Sequence, residues 1–359
     1  MANKLNSMRT INDVTVKGVP LSEILDVHKK WLHHEDGGER AYMGGADLSH
    51  VVLRGVELDK ALLGEADLSY SDLTDATFSA ANLMWANFEH ANLESANFRG
   101  ATLTNSNMRF SAINHTILTD AELPSSNLEN ANVSNSFLEN AILTNVKMVK
   151  ANLTKTLCRN ADFQHADMTY ANLTESYLNM AHLNFVNMAH AHMQNCVLPW
   201  ADMTYGNLYD AKLENNNMKF VNFHCAKLTK ACMKGTIMDE ANLNDAILSP
   251  KERIRKGMIL ESPMTVYKGT AEGTVLEAEI PAGAIVFSIN NMKCRANRAK
   301  IVSTGGKTLH SIYNWNFTYD EGQEIFVKDF SMSYNVECAP GFHFFRTKEE
   351  VAAYMTSMR

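Results

Sequence analysis

From Met43 to Leu248 every fifth residue is large and mostly apolar. The series runs Leu48, Leu53, Leu58, Leu63, Leu68, Leu73, Phe78, Leu83 and Phe88, and continues to Met238, Leu243 and Leu248 without a slip in register. Two places before these centres the residue is nearly always small, such as Ala61, Ala66, Ser71, Ala76 or Ala81, and the forty-two pentapeptides share the consensus Ala-(Asn/Asp)-Leu-x-x. Apolar residues five apart march around a 3.6-residue helix and make no stripe, so the pattern excludes a helix. Two inward residues separated by one outward residue fit the two-residue period of an extended strand. The next inward pair comes three residues later, so the chain must turn a corner between pairs. Each pentapeptide is therefore one short extended side plus a bend, and such a short period is the mark of a solenoid whose stacked coils share one core.

In this pattern the sequence resembles the pentapeptide-repeat family, over about 210 of its 359 residues. The resemblance implies a mainly β architecture. It is a right-handed quadrilateral β-helix solenoid of about ten coils, four pentapeptides to a coil, with Leu, Phe or Met along the axis and Ala or Ser beside them. Ten of the twenty methionines sit at centres and read as adaptable core filler.

The pattern divides the chain into residues 1–40, 41–250 and 251–359. Residues 1 to about 18 read as mixed sequence with no tie to a core. Over Ser22–Leu32, Ile24, Leu25, His28, Trp31 and Leu32 share one helical face behind the start signals Pro20 and Ser22. This helix is expected to cap the open first coil, with His28 as a packing residue. Past Ser249 and Pro250 the grammar changes. Thr265–Tyr267, Val275–Ile280, Ala284–Ile289, Ala299–Val302, Ile325–Val327 and Phe342–Phe345 read as strands, and a Thr347-to-Glu350 capping box opens a final helix, giving a small α+β domain. Its segments KCRANRAK (293–300) and ECAPGFHFF (337–345) are similar to an uncharacterised domain that follows pentapeptide repeats in bacteriophage and other viral proteins, which implies a viral origin.

Charge is uneven along the repeat. Residues 41–145 carry thirteen acidic and four basic residues, whereas residues 146–250 carry nine of each. An acidic half-rod can present a DNA-like field to DNA-handling proteins, as some pentapeptide-repeat proteins that resemble this one do toward type II topoisomerases. With coils about 4.8 Å apart, that half spans roughly 25 Å, over which duplex DNA carries about fifteen phosphates, so mimicry extends to one end only. The candidate acidic surface is Asp67, Asp72, Asp75, Glu89 and Glu94. Residues twenty apart stack on neighbouring coils, which places a second candidate surface on two outer corners. One column contains Trp85, Phe185 and Tyr205, and the next contains Tyr70, Phe110 and Tyr170. Such aromatic rows either mark a contact surface or stiffen the solenoid.

The remaining chemistry is sparse. The cysteines Cys158, Cys196, Cys225, Cys232, Cys294 and Cys338 show no C-x-x-C pair, and the thirteen histidines no ligand spacing, so no metal site is expected. Cys158 and Cys196 fall on inward positions and read as small hydrophobes. Phosphate-binding glycine motifs are absent, and Cys338 with His343 lacks a third residue, so no catalytic residue and no cofactor are assigned. No 18-residue apolar run and no signal-type leader appear, which points to the cytoplasm, of an infected host cell if the protein is viral. The expectation is a non-enzymatic viral interaction scaffold with a protein partner, in its more specific form a partial DNA mimic that inhibits a host DNA-handling protein such as a type II topoisomerase or nuclease. Direct nucleic-acid and membrane binding are not expected, and homo-oligomerisation would run through the C-terminal domain. The alternatives are an enzyme in that domain, targeted by the rod, and a structural rod of the virion.

Overall fold

The computed structural model describes the chain except residues 1–7, 239, 244, 249–257, 260–262, 290–292, 313, 315, 328–341, 358 and 359. It divides into two compact units, one of residues 1–227 and 231–237, the other of 228–230 and 238–359.

In the first unit, parallel bridges join each middle residue to the one twenty places on, from Tyr42 with Leu62 to Asn217 with Ile237. Four pentapeptides therefore make one coil of a β-helix. Every centre from Met43 to Phe223 is buried, and Phe78 and Phe98 stack across one coil at 4.8 Å with Phe88 edge-on to both. The backbone donors of a pentapeptide can all be followed, as residues 86 to 90 illustrate. Ala86 N–H closes the preceding turn on Leu83 O at 3.1 Å, and Asn87 N–H reaches back to Ala66 O at 2.9 Å. Phe88 and His90 donate forward to Asn107 O and Arg109 O at 2.6 and 2.9 Å. The fifth donor, Glu89 N–H, goes to Asn87 Oδ1 at 3.2 Å. Where a short carboxamide or carboxylate precedes the centre, it thus satisfies a corner amide that no coil can reach. It also bonds along the axis, with Asn107 Nδ2 donating to Asn87 Oδ1 at 2.9 Å and Asn87 Nδ2 to Asp67 Oδ1 at 3.0 Å. The last residue of each unit is left-handed, with φ of 57° at Tyr70, 64° at Trp85 and 66° at Trp200. Positive φ at the second central residue is the type II turn, which turns the corner at a cost that bulky side chains bear poorly.

The described part of the N-terminal segment, residues 8–18, is tied down, contrary to the reading of residues 1 to 18. Arg9 N–H donates to His50 O and Val52 N–H to Arg9 O, so residue 9 adds a bridge beside Val51. Strands Thr15–Val16 and Val19–Pro20 form a hairpin leading into the helix Leu21–Leu32. Only Leu21 and His28 are fully buried in that helix. His28 Nδ1 accepts the N–H of Ala41 at 3.0 Å, replacing the turn carbonyl that a preceding repeat would offer.

In the second unit an antiparallel sheet runs Glu324–Phe326, Arg298–Ser303, Val275–Ile280, Met264–Gly269. A second antiparallel sheet runs Phe342–Phe344, Lys293–Ala296, Ile285–Ile289, Met258–Ile259. Paired bonds between Tyr267 and Phe345, at 2.8 and 2.9 Å, link the two. The helix Lys348–Ser357 opens with the expected capping box, since Glu350 N–H donates to Thr347 Oγ1 at 3.2 Å and Thr347 N–H to Glu350 Oε2 at 3.1 Å. It packs on Gly269, where a Cβ would come within 2.7 Å of Met355 Sδ. No helix among the described residues is long and apolar enough to cross a membrane.

Candidate interaction surfaces

The five acidic candidates differ in what holds them. Asp67 and Asp72 belong to the polar ladders. Asp72 is only 9% exposed, receives Thr74 Oγ1 and Arg54 Nε at 2.6 Å each, and these partners outweigh burial in holding its carboxyl below the usual range. Glu89 and Glu129 flank Arg109 at 3.7 and 3.4 Å, and Glu94 lies 3.9 Å from His115. Asp75 is exposed at a corner. Two of the five therefore build the coil, and three face outward.

The aromatic candidates form the two corner columns. Tyr70 stacks between His50 and His90 at 4.9 and 4.7 Å, and His90 continues the stack to Phe110 at 4.9 Å. Tyr170 stacks on His190 at 4.7 Å, and Phe185 lies between His165 and Tyr205 at 4.8 and 5.0 Å. Their rings stand off the corners with one or both faces on a neighbour, so each serves the cross-coil ladder while still exposing an edge. Trp85 is 59% exposed between Glu65 and Asn105 of its column.

A third surface escaped the sequence reading. On three faces of the coil the outward middle positions are mostly polar, as in Asp67, Asn87, Asn107 and Asn127. On the fourth they are Ile117, Phe137, Leu157, Tyr177 and Val197. The inward neighbours on this same face are Thr116, Ser136, Thr156, Ser176 and Cys196, all buried. The polarity of the strand is inverted there. Buried hydroxyls and a thiol bond to carbonyls inside, as Ser136 Oγ does to Ile113 O at 2.7 Å and Cys196 Sγ to Leu173 O at 2.9 Å. Outside, no carboxamide remains to accept the corner amides, and at residue 199 proline removes the donor itself. Beside this face lies a groove of about 450 Å³ lined by Leu157, Arg159, Tyr177, Met180, Pro199 and Trp200 among others. Trp200 is stacked on Phe220 at 4.1 Å. The signal was available, as a change of residue type every twentieth position from 117 to 197.

In the second unit, Lys268 Nζ donates to His343 O at 3.0 Å and lies over the rings of Phe342 and Tyr319 at 5.3 and 5.6 Å. Arg295, opposite His343 in the sheet, is fully buried, and burial lowers its pKa. Cys338, considered with His343 as a nucleophile and base, lies outside the described residues. In the coil, burial pushes the Cys158 and Cys196 thiols up to about 12, as befits core residues.

The twenty-residue bridging and buried centres are what the family comparison meets. Pentapeptide repeats match at residues 41–79, 81–120, 121–157, 156–195 and 181–219. The repeat domain belongs to the pentapeptide-repeat family. Residues 255–351 match a family of unknown function, DUF5758. Among solved structures, the repeat domain is similar to HetL, a pentapeptide repeat protein involved in heterocyst differentiation regulation from the cyanobacterium Nostoc sp. strain PCC 7120. That similarity is 27% identity over 59% of this chain and 86% of HetL, with a TM-score of 0.29. It is also similar to QnrB1, a plasmid-mediated fluoroquinolone resistance protein, at 13% identity over 59% of this chain and 93% of QnrB1, with a TM-score of 0.31. No curated protein matches the chain.

Proposed function

We propose that the protein is a non-enzymatic interaction scaffold whose acidic half takes the basic, DNA-binding surface of a protein partner. The observation that carries this reading is the charge split along the rod, thirteen acidic against four basic residues over 41–145 and parity over 146–250. A net charge of one sign on a rigid, edge-free rod attracts a basic cleft at long range and gives it few alternative registers. Mimicry of duplex DNA is partial. Net charge on that half is about 60% of the phosphate charge over the same length, and Asp72 with its Arg54 partner contributes little to the field. A type II topoisomerase or a nuclease is the class of partner such a surface suits. The similarity of residues 293–300 and 337–345 to viral domains supports an origin in which that partner belongs to a host cell.

The test is binding to a purified type II topoisomerase across a salt series. Reversal of Asp75, Glu89 and Glu94 to lysine is expected to abolish binding that weakens steeply with salt, with the melting temperature held. Reversal of Glu175, Asp202 and Glu214 in the balanced half should do little. Equal behaviour of the two sets would remove the acidic half from the mechanism.

A further inference from the structure

The inverted face carries a second interaction surface, independent of the acidic half. Phe137, Tyr177, Met180 and Trp200 are 41, 48, 49 and 61% exposed, close together on one face and its following corner. Contiguous apolar surface of this kind on a soluble rod marks a site that something covers. Leu157 and Val197 flank Tyr177 in the same bridged column, and Arg159 lines the groove.

We propose that a second copy of this chain covers it, antiparallel, about a two-fold axis passing through the coil that contains Asn179. The observation is self-complementarity in steps of one coil. Because the corner column repeats every twenty residues, a two-fold axis perpendicular to the rod sets residues a given number of coils above it against those the same number below. Along the corner the order is Glu139, Arg159, Asn179, then Pro199 with Trp200, then Lys219 with Phe220. Centred on Asn179, the operation brings Glu139 of one copy to Lys219 of the other. It brings Arg159 to the exposed indole of Trp200, a cation over a ring. On the face itself Leu157 meets Val197, and Tyr177 meets its own copy. Centring on the Arg159 coil instead opposes Arg159 to itself and Asp120 to Trp200. Placing the axis midway between the Asn179 and Trp200 coils opposes Arg159 to Lys219. The Asn179 register pairs opposite charges at the rim and apolar groups at the centre, the anatomy of a specific interface.

Full-length protein in sedimentation equilibrium should show a monomer–dimer equilibrium. Glu139→Lys and Lys219→Glu should each weaken the dimer by about tenfold, since every substitution acts twice per dimer. The double variant, in which the pair is exchanged, should restore the dissociation constant to near its original value. Trp200→Ser should abolish the dimer while the thermal melt is retained. A chain that stays monomeric at every accessible concentration overturns the proposal. A dimer indifferent to all four variants does so too, and it would assign association to the C-terminal domain. Additive loss in the double variant would overturn the Asn179 register.

Discussion

The N–H of Thr116 donates to Ser136 Oγ at 3.1 Å, one coil further on, in place of the turn carbonyl of Ile113. Ser136 Oγ passes the bond back to that same Ile113 carbonyl at 2.7 Å. A hydroxyl has thus been inserted into a turn, and both backbone groups are buried around it. Ser136→Ala should orphan the two and cost about 1–3 kcal/mol, whereas Ser136→Cys should lose less, since Cys196 makes the equivalent bond to Leu173 O. Urea melts of the two variants check the order. Equal loss would mean that a thiol cannot replace the hydroxyl bond, and no loss in Ser136→Ala would mean that the bond contributes nothing.

An axial centre should be far less tolerant than a corner. Leu153 is fully buried, so Leu153→Asp puts an unpaired carboxylate where no water reaches and should cost several kcal/mol. Asn145 is an exposed corner residue already at positive φ, and Asn145→Asp should leave the melting temperature nearly unchanged. Thermal denaturation of both proteins gives the comparison.

Acid should loosen the N-terminal cap through His28. Burial lowers the pKa of this imidazole from its ordinary 6.5, and Nδ1 must be unprotonated to accept the Ala41 N–H. The unfolded chain therefore takes up the proton first. The contribution of His28 to stability is complete above pH 6.5 and is lost as pH falls through the lowered folded value. His28→Asn, which keeps an acceptor near Nδ1 but does not titrate in this range, should flatten the dependence of stability on pH below neutrality. Chemical denaturation at a series of pH values measures the slope.

Thiol reactivity should follow depth in the coil. With pKa values pushed up to about 12, Cys158 and Cys196 should resist iodoacetamide in the native state at neutral pH. Cys225 and Cys232, half-buried at the surface, should alkylate first among these four. Mass spectrometry of tryptic peptides after timed alkylation gives the rates, and early labelling of Cys158 would contradict its place on the axis.

The repeat made the coil legible because its information is local. A two-residue alternation followed by a corner decides which side chain points inward whatever the rest of the chain does, and every centre from Met43 to Leu228 is buried accordingly. The C-terminal capping box was legible for the same reason, both its partners lying within four residues. Arg295 was not, because a short strand with a buried guanidinium has no local signature. Nor was the bond of Arg9 to the first coil, which joins residues about forty apart.

The sequence by itself determined the period, the axial residues, the helix at the start and the charge split. Only the tertiary structure decided what the other positions do. The Asn and Asp before each centre proved to be the acceptors of corner amides, and Asp67 and Asp72 proved to be ladder members before they are surface charges. The Ser and Thr of one face, read as small fillers, proved to be hydrogen-bond carriers. The carbonyl partners of Thr116, Ser136 and Ser176 lie twenty-three residues back, at Leu93, Ile113 and Leu153, and that distance closes only when one coil is laid upon the next.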